Sequence, residues 1–263
     1  MLRAGAKFAR AAAQILLPPA CVACHRALGP ARLRVDVPLT CLCEECGELL
    51  RPIDLEKACP RCCGYAAPGS TPGKCPDCEP LGDWFAEARS AFPYQSPAGE
   101  IVRNLKYRRS PFLADWLVRL SLPAVGDWLA QRGRDCQLVP VPMARLRWLS
   151  RGYNQAEEIA RAMTEALPMR IAHSTVLQRI RRRKPQARFA SRAERLANLA
   201  DVYRVPQPEN IRGRDFLLVD DVMTTGATMA AAARALREAG AAQVFAFAPV
   251  RAHLADDSVG DEC

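Results

Sequence analysis

The residues with the clearest capacity for chemistry lie in the stretch FLLVDDVMTTGATM, residues 216–229. Apolar residues run directly into two adjacent carboxylates, Asp220 and Asp221, and a turn rich in threonine follows them. The apolar run predicts a buried strand and the residues after the turn predict a helix, so the acids lie where open α/β folds bind ligands. Adjacent carboxylates accept hydrogen bonds from a diol or coordinate Mg²⁺.

The turn between this strand and helix has the composition of a phosphate-binding loop. Amide N–H groups at the start of a helix carry the positive end of its dipole, and Gly226 lets the backbone approach a ligand closely. Thr224, Thr225 and Thr228 add hydroxyl donors. The sequence contains no GxxxxGK[ST] motif, which favours a phosphate monoester over a nucleoside triphosphate. Phosphate and diol sites on one turn indicate a ribose 5-phosphate unit; an N-capping threonine beside unrelated acids is the alternative.

The second group of chemically capable residues is a set of cysteines, ten of which lie within residues 21–78. They include four CxxC pairs, namely Cys21/Cys24, Cys43/Cys46, Cys59/Cys62 and Cys75/Cys78. Four thiolates complete a tetrahedral zinc site and leave no open position for catalysis, so the pairs predict one or two structural zinc ribbons. Sequential assignment of the pairs is simplest. Crossed pairing, replacement of a ligand by Cys41 or His25, and disulfides stay open.

The composition limits the classes of protein to which this chain can belong. The chain has 263 residues, 49% of them hydrophobic and 25% charged, which is ordinary for a globular protein. The sequence has no run of 18 apolar residues, and Arg10 and Gln14 interrupt the N-terminal apolar stretch, so we expect neither a spanning helix nor a signal peptide. We therefore expect a reducing cytoplasm, where clustered cysteines usually bind metal. The net charge of +9 favours polyanionic partners.

The order of elements predicts an α/β protein with a parallel sheet covered on both faces. The predicted strands are 88–94, 137–142, 173–180, 216–221 and 243–250, and the predicted helices are 98–120 with a break at Ser110-Pro111, 154–167 and 228–240. We expect four regions: a basic amphipathic helix (1–20), a double zinc ribbon (21–80), the α/β domain (81–255) and an acidic tail (256–263). The basic helix either packs on the protein or contacts the inner face of the membrane.

The stretch VDDVMTTGAT resembles the signature of type I phosphoribosyltransferases, which bind 5-phosphoribosyl-1-pyrophosphate (PRPP). The blocks VPVPMARLRWLSRGYNQAEEIA (139–160) and RRRKPQARFASRAERLANLADVYRV (181–205) resemble two more signatures of the ComF family, which includes ComFC- and GntX-like members. The double zinc ribbon is also a trait of that family. The resemblance covers about residues 17–252 and implies a phosphoribosyltransferase-like domain behind a small cysteine-rich module.

Site residues follow from this resemblance. It implies that Asp220 and Asp221 face the ribose hydroxyls and that Mg²⁺ accompanies PRPP. It assigns the 5-phosphate to Thr224, Thr225, Gly226, Ala227 and Thr228, the pyrophosphate turn to Val141, Pro142 and Met143, and the rest of the cleft to Arg151, Gly152, Tyr153 and Asn154. It puts Lys184, Pro185 and Gln186 on a mobile loop over the ligand. Arg183 and Lys184 are the candidate catalytic residues.

Basic residues interleaved with aromatic ones suggest a second kind of ligand, because bases stack on rings while phosphates meet arginines. The cluster over residues 179–195, with eight basic residues, predicts binding of a diphosphate or a nucleic-acid backbone. Two further groups interleave with aromatic residues: Arg103, Lys106, Arg108 and Arg109 with Tyr107 and Phe112; and Arg145, Arg147 and Arg151 with Trp148 and Tyr153. They predict binding of single-stranded DNA. Solvated charged faces and aromatic core residues are the alternatives.

Three functions remain open from the sequence. The first is a ComF-type protein that binds PRPP and assists imported single-stranded DNA in natural transformation, with a competence helicase and recombination mediator proteins as partners implied by the resemblance. The second is an active phosphoribosyltransferase with an unknown acceptor, which would displace pyrophosphate from C1 of the ribose. The third is a non-catalytic PRPP-binding scaffold in sugar-acid metabolism, as for GntX-like members.

Overall fold

The computed structural model describes residues 20–28, 42–64, 75, 77–78, 81–133, 135–172, 176–180 and 202–252. The chain forms two compact units, Met1–Leu50 and Arg51–Cys263. The second pair of CxxC motifs therefore belongs to the same unit as the α/β domain. The predicted helix over 1–20 lies outside the described residues except for Ala20, and the predicted acidic tail lies outside them entirely.

The described part of the smaller unit has little regular structure. An antiparallel bridge joins Ala20 to Ala27, on either side of the first CxxC motif. One short helix, α1 (Glu44–Glu48), begins directly after Cys43, and two glutamates in its first turn complement the helix dipole. These elements bring the two CxxC motifs of this unit to one place.

The larger unit alternates strands and helices as predicted. Its described helices are α2 (Pro97–Tyr107), α3 (Leu113–Gly133), α4 (Arg145–Arg151), α5 (Gln155–Ala166) and α6 (Ala227–Glu238). Its described strands are β1 (Glu87–Arg89), β2 (Phe92–Pro93), β3 (Cys136–Pro140), β4 (Arg170–Ile171), β5 (Gln178–Arg179), β6 (Tyr203–Arg204), β7 (Asp215–Val219), β8 (Val222–Met223), β9 (Gln243–Phe247) and β10 (Val250–Arg251).

The main sheet is parallel throughout and has the order β1-β9-β7-β3-β4. Three short strands form a second parallel sheet, β2-β10-β8, and β5 pairs with β6 in antiparallel fashion. The central strand β7 has four fully buried residues, from Phe216 to Val219. A strand buried on both faces reads as a continuous apolar run, which is why FLLV was recognisable in the sequence.

Helices cover both faces of the main sheet. Phe216 and Leu218 lie in one apolar cluster with the residues of α6, whereas the alternate residues Leu217 and Val219 do not. Because successive strand residues point to opposite faces, the second pair lies on the other face. There α3 and α5 pack against each other and against β3. The predicted α/β class is therefore confirmed.

Several elements differ from the sequence expectation in detail. The predicted strand over 88–94 is divided between β1 and β2, and the helix expected to end near 120 continues to Gly133. In its described part, the strand expected over 173–180 contains only Gln178–Arg179. Helix α4 was not expected, since its sequence RLRWLSR has no buried residue and hence no apolar periodicity to reveal it.

Candidate functional site

The turn after β7 leads directly into α6, as its sequence predicts. Gly226 caps the helix with φ +76°, a left-handed conformation that favours glycine. A Cβ atom at this position would lie 2.9 Å from side-chain atoms of both Leu81 and Met223, so these two side chains would have to shift to accommodate it. The Ala227 amide donates to Thr225 Oγ1 at 3.3 Å, while Thr224 is exposed beside it.

A buried arginine sets the direction of the peptides that open the turn. Arg251 is 0% exposed, and its Nη1 donates to the carbonyl oxygens of Met223, at 3.1 Å, and of Thr224. In a trans peptide the N–H points opposite to the C=O. The amides of Thr224 and Thr225 therefore point away from Arg251. Within the described part of the chain, neither amide donates to a backbone carbonyl.

The two acids occupy different electrostatic environments. Asp220 is half-buried, and burial together with the charge of Asp221 raises its pKa from 3.8 to about 7. Lys106 and Arg147 act in the opposite direction. Asp221 is paired, because Lys106 Nζ at the end of α2 lies 3.1 Å from Asp221 Oδ1. Asp220 Oδ1 in turn accepts a hydrogen bond from the Asp221 amide at 2.9 Å.

The segment after β3 lies beside this turn. Pro140 is in register with Val219, and the Val141 amide donates to the Val219 carbonyl at 2.9 Å. Asn154 links the same segment to α5, because its side chain donates to the Val141 carbonyl at 3.1 Å and accepts from the Ala156 amide. The structure thus brings the predicted segments 141–143 and 220–228 together.

The residues before α5 border the end of α2. The Tyr153 hydroxyl donates to the Leu105 carbonyl, and the Arg151 guanidinium lies 5.4 Å from the centroid of the Tyr107 ring. Gly152 ends α4 in the left-handed conformation with φ +87°. Because Lys106 stands between Leu105 and Tyr107, these contacts adjoin its ion pair with Asp221.

Sequence reasoning did not assign two residues of this site. Lys106 was noticed only as one of several basic residues, and its pairing with Asp221 depends on the tertiary fold. Arg251 was not considered, although a lone charge after the apolar run QVFAFAPV is an available signal. The candidate catalytic residues Arg183 and Lys184 lie outside the described residues, as do Pro185 and Gln186.

The eight CxxC cysteines form two clusters in sequence order. Cys21, Cys24, Cys43 and Cys46 make the first cluster, and Cys59, Cys62, Cys75 and Cys78 make the second; within each, the sulfur atoms lie within 4.8 Å of one another. The Sγ atoms of Cys24 and Cys43 lie 3.6 Å apart in the first cluster, and those of Cys62 and Cys75 lie 3.4 Å apart in the second. Zn–S bonds of about 2.3 Å in tetrahedral geometry put sulfurs about 3.8 Å apart, so both clusters fit zinc.

The donor chemistry of the second cluster also fits a metal. A hydrogen bond from Cys78 lowers the pKa of Cys62 to about 5, and the same bond raises the pKa of Cys78, so Cys62 is the first thiolate of this cluster. A thiolate is the form that binds zinc. All described cysteines are free thiols, which disfavours the disulfide alternative. Neither Cys41 nor His25 is needed to complete either set of four.

In the described part of the chain, no helix is both long enough and apolar enough to cross a bilayer. The described helices thus offer no candidate for a membrane span.

A parallel sheet whose central strand ends in two acids and a glycine–threonine turn defines a phosphoribosyltransferase-like domain. The family described as phosphoribosyl transferase domain matches residues 149–256. This match includes both acids, the whole turn and Arg251.

Three relatives indicate which family of phosphoribosyltransferase-like proteins this chain belongs to. The DNA utilization protein YhgH of Salmonella typhimurium is 32% identical over 208 residues, which are 77% of this chain and 87% of that protein. The competence protein ComFC of Streptococcus pneumoniae is 29% identical over 81% of this chain and 88% of its own length. Competence protein F of Haemophilus influenzae is 28% identical over 60% of this chain and 70% of its own length. The chain belongs to the ComF family, which confirms the resemblance.

Proposed function

We propose that this protein acts in DNA uptake, binding PRPP with Mg²⁺ at the turn after β7 and single-stranded DNA on a neighbouring surface. The role in DNA is supported by the names of the relatives, which are DNA utilization and competence proteins. The observation that carries PRPP binding is the turn itself, where amides that point away from the buried Arg251 adjoin two acids at the carboxyl end of β7.

Each part of PRPP has a chemical counterpart in this proposal. The 5-phosphate would accept hydrogen bonds from the amides and hydroxyls of residues 224–228, at the positive end of α6. The ribose diol would donate to Asp220 and Asp221, which are acceptors when ionised. The diphosphate would lie toward Val141, Pro142 and Met143, with Mg²⁺ neutralising its charge. Lys106 and Arg151 supply further positive charge on that side.

The proposed DNA surface consists of residues 107–112 and 145–151, and we call it the aromatic–arginine surface. Its exposed aromatic residues are Tyr107 at 73%, Phe112 at 64% and Trp148 at 47%. Arg109 Nη2 donates to the Ser150 carbonyl at 3.3 Å, so the two segments form one surface. Neither segment contains an acidic residue. Exposed rings among arginines match the stacking and phosphate contacts of single-stranded DNA.

The PRPP proposal is tested by calorimetry with PRPP and Mg²⁺. Asp220→Asn combined with Asp221→Asn should abolish measurable binding, because amides neither accept from the ribose diol as strongly nor attract Mg²⁺. Glu209→Gln, an exposed acid outside the turn, is the control and should bind as the wild type does. Unchanged binding by the double variant would contradict the proposal.

The DNA proposal is tested by fluorescence anisotropy with labelled single-stranded oligonucleotides. Trp148→Ala should weaken binding about tenfold or more, since stacking on one base contributes about 1–3 kcal/mol. Arg108→Gln should weaken binding and reduce its salt dependence, while Arg119→Gln, an equally exposed arginine on α3, is the control. Equal affinities for all three variants and the wild type would refute the DNA surface.

Catalysis is a separate question from binding. If the protein is also a transferase, isotopic pyrophosphate should exchange into PRPP in the presence of a suitable candidate acceptor, and Arg183→Ala or Lys184→Ala should slow that exchange. If it is a binding protein alone, exchange will be absent while calorimetry still detects PRPP. The proposed setting is the cytoplasm, where a competence helicase and recombination mediators would be partners. A deletion strain tested for integration of labelled DNA examines that role.

A further inference from the structure

The second cysteine cluster makes a direct contact with the arginine that orients the candidate ligand turn. Arg251 Nη2 lies 2.9 Å from Asp77 Oδ2. Asp77 stands between Cys75 and Cys78, inside one of the two CxxC motifs of this cluster. The Arg251 guanidinium therefore connects the Cys75/Cys78 CxxC motif, which we call the cysteine knuckle, to the carbonyls of Met223 and Thr224. The knuckle and these carbonyls lie far apart in the sequence.

Burial makes this bridge sensitive to the loss of either partner. The Arg251 side chain is 0% exposed and the Asp77 side chain 18% exposed. A guanidinium does not lose its proton at ordinary pH, so its burial is tolerated only when hydrogen bonds and a counter-charge satisfy it. The carbonyls of Met223 and Thr224 supply hydrogen bonds, and Asp77 supplies the negative charge.

Close packing surrounds the same bridge. A Cβ atom on Gly64 would lie 2.6 Å from Asp77 Oδ2 and 3.1 Å from Arg251 Nη2, so the backbone beside the cluster approaches the pair closely. At the other end of the turn, Leu81 follows the cluster in sequence and fills the space beneath Gly226. The segment that carries the cluster thus contacts the turn at its beginning and at its end.

We propose that the second cluster, when it holds zinc, positions the ligand turn through the Asp77–Arg251 pair, so that zinc binding and ligand binding stabilise each other. The ligand is the PRPP of the proposed function, on which this part of the inference rests. Zinc fixes the cysteine knuckle, the knuckle fixes Asp77, and Asp77 holds Arg251 against the two carbonyls. Asp77 and Arg251 are positioning residues, since neither need touch the ligand.

This coupling has two measurable consequences because it is reciprocal. Loss of the Asp77 charge should let the peptides after Met223 and Thr224 rotate, which opens the neighbouring hydrogen bond from the Ala227 amide to Thr225 Oγ1 more often and weakens PRPP binding. Bound PRPP should in turn slow the loss of zinc from the second cluster. Coupling energies in proteins correspond to changes of roughly 5- to 150-fold, so we expect effects of about tenfold.

The experiment compares Asp77→Asn with Asp83→Asn in the full chain. Asp83 follows the same cluster, but its side chain is 98% exposed and pairs with Arg61 at 3.0 Å, not with Arg251. Hydrogen exchange of residues 222–229 measures the turn without any ligand. In Asp77→Asn it should be about tenfold faster, and in Asp83→Asn it should equal the wild type. Zinc content is measured for each variant.

The wild-type protein provides an independent test of the coupling in case Asp77→Asn loses zinc or fails to fold. Removal of zinc with a chromogenic chelator should accelerate exchange in residues 222–229, and PRPP should slow the release of one of the two zinc equivalents. Unchanged exchange after zinc removal, or in a folded and zinc-loaded Asp77→Asn, would overturn the inference. If exchange responds as expected but PRPP does not bind, the positioning role stands and the proposed function fails.

Discussion

The two cysteine clusters have the same motif and different surroundings. In the first, Cys24 is exposed, and the described residues around the cluster form only α1 and one bridge. In the second, all four cysteines are at most 1% exposed and belong to the apolar cluster that includes β7 and α6. A CxxC pair therefore predicts the metal chemistry but not the structural role. The second cluster is part of the core that carries the candidate site.

The largest effect should come from breaking the second cluster. Cys75→Ser removes a buried ligand, and we expect the larger unit to lose about 4 kcal/mol or more of its free energy of unfolding, as for other losses of structural metal. Cys24→Ser is the matched variant in the first cluster and should cost less, because its thiol is exposed. Calorimetric unfolding of both proteins measures the difference. Equal losses would show that burial does not distinguish the clusters.

Two glycine substitutions, Gly226→Ala and Gly213→Ala, test how closely the segment after the second cluster packs against the turn. Gly226→Ala should destabilise the protein by about 2–3 kcal/mol, because it combines the strain of a positive φ with the close approach to Leu81 and Met223. Gly213 has a similar φ of +69° but no neighbour within 4 Å, so Gly213→Ala should cost only about 1 kcal/mol. Urea denaturation of both variants checks this. If the two costs are equal, Leu81 does not constrain the turn.

The acids of the turn should make the larger unit sensitive to pH. The pKa of Asp220 is raised in the folded protein, mainly by burial, so ionisation costs stability as pH rises from about 4 to 7. Asp220→Asn removes this cost and keeps an acceptor for the Asp221 amide. Its advantage over the wild type should grow by about 1 kcal/mol between about pH 5.5 and about pH 8, after allowance for partial exposure.

Urea denaturation at the two pH values measures that advantage, and Glu209→Gln serves as the control. If Asp220→Asn has the same stability advantage over the wild type at both pH values, burial of the ionised Asp220 carboxylate does not destabilise the protein. The expected gain in stability separates two explanations for lost PRPP binding in the single variant Asp220→Asn, since the double variant also loses the ion pair between Lys106 and Asp221. A protein that is more stable and still fails to bind has lost ligand contacts and not its fold.

The smallest effect on stability should come from breaking the ion pair between Arg26 and Glu45 in the smaller unit. Arg26 and Glu45 contact each other with side chains that are 60% and 65% exposed. Exposed pairs contribute little, because water screens them and holding two long side chains costs entropy. Glu45→Gln should leave the melting temperature unchanged, whereas Asp77→Asn, which disrupts the buried pair, should lower it. A clear loss in Glu45→Gln would weaken the contrast between the two regions.

Much of the candidate site was predictable because its signals are local. The acids, the glycine–threonine turn and the start of α6 occupy one continuous stretch, and the four CxxC pairs assemble in sequence order. The partners of these groups were not predictable. Lys106 reaches Asp221, and Arg251 reaches Asp77, only because the tertiary fold brings distant chain segments together. The sequence also did not show that Trp148 and Tyr107 are exposed, since aromatic residues occur both in cores and on binding surfaces.

The sequence by itself determined the class of fold, the position of the turn and the identity of the thiol sets, because apolar periodicity and short spacings act within a few residues. Only the tertiary structure decided which cluster belongs to the core and which way the turn's amides point. The direction of the amides depends on Arg251, whose guanidinium contacts groups from β8, the following turn and a cysteine knuckle. A buried charge takes whichever partners the fold brings within hydrogen-bond distance, and the chain order does not specify them.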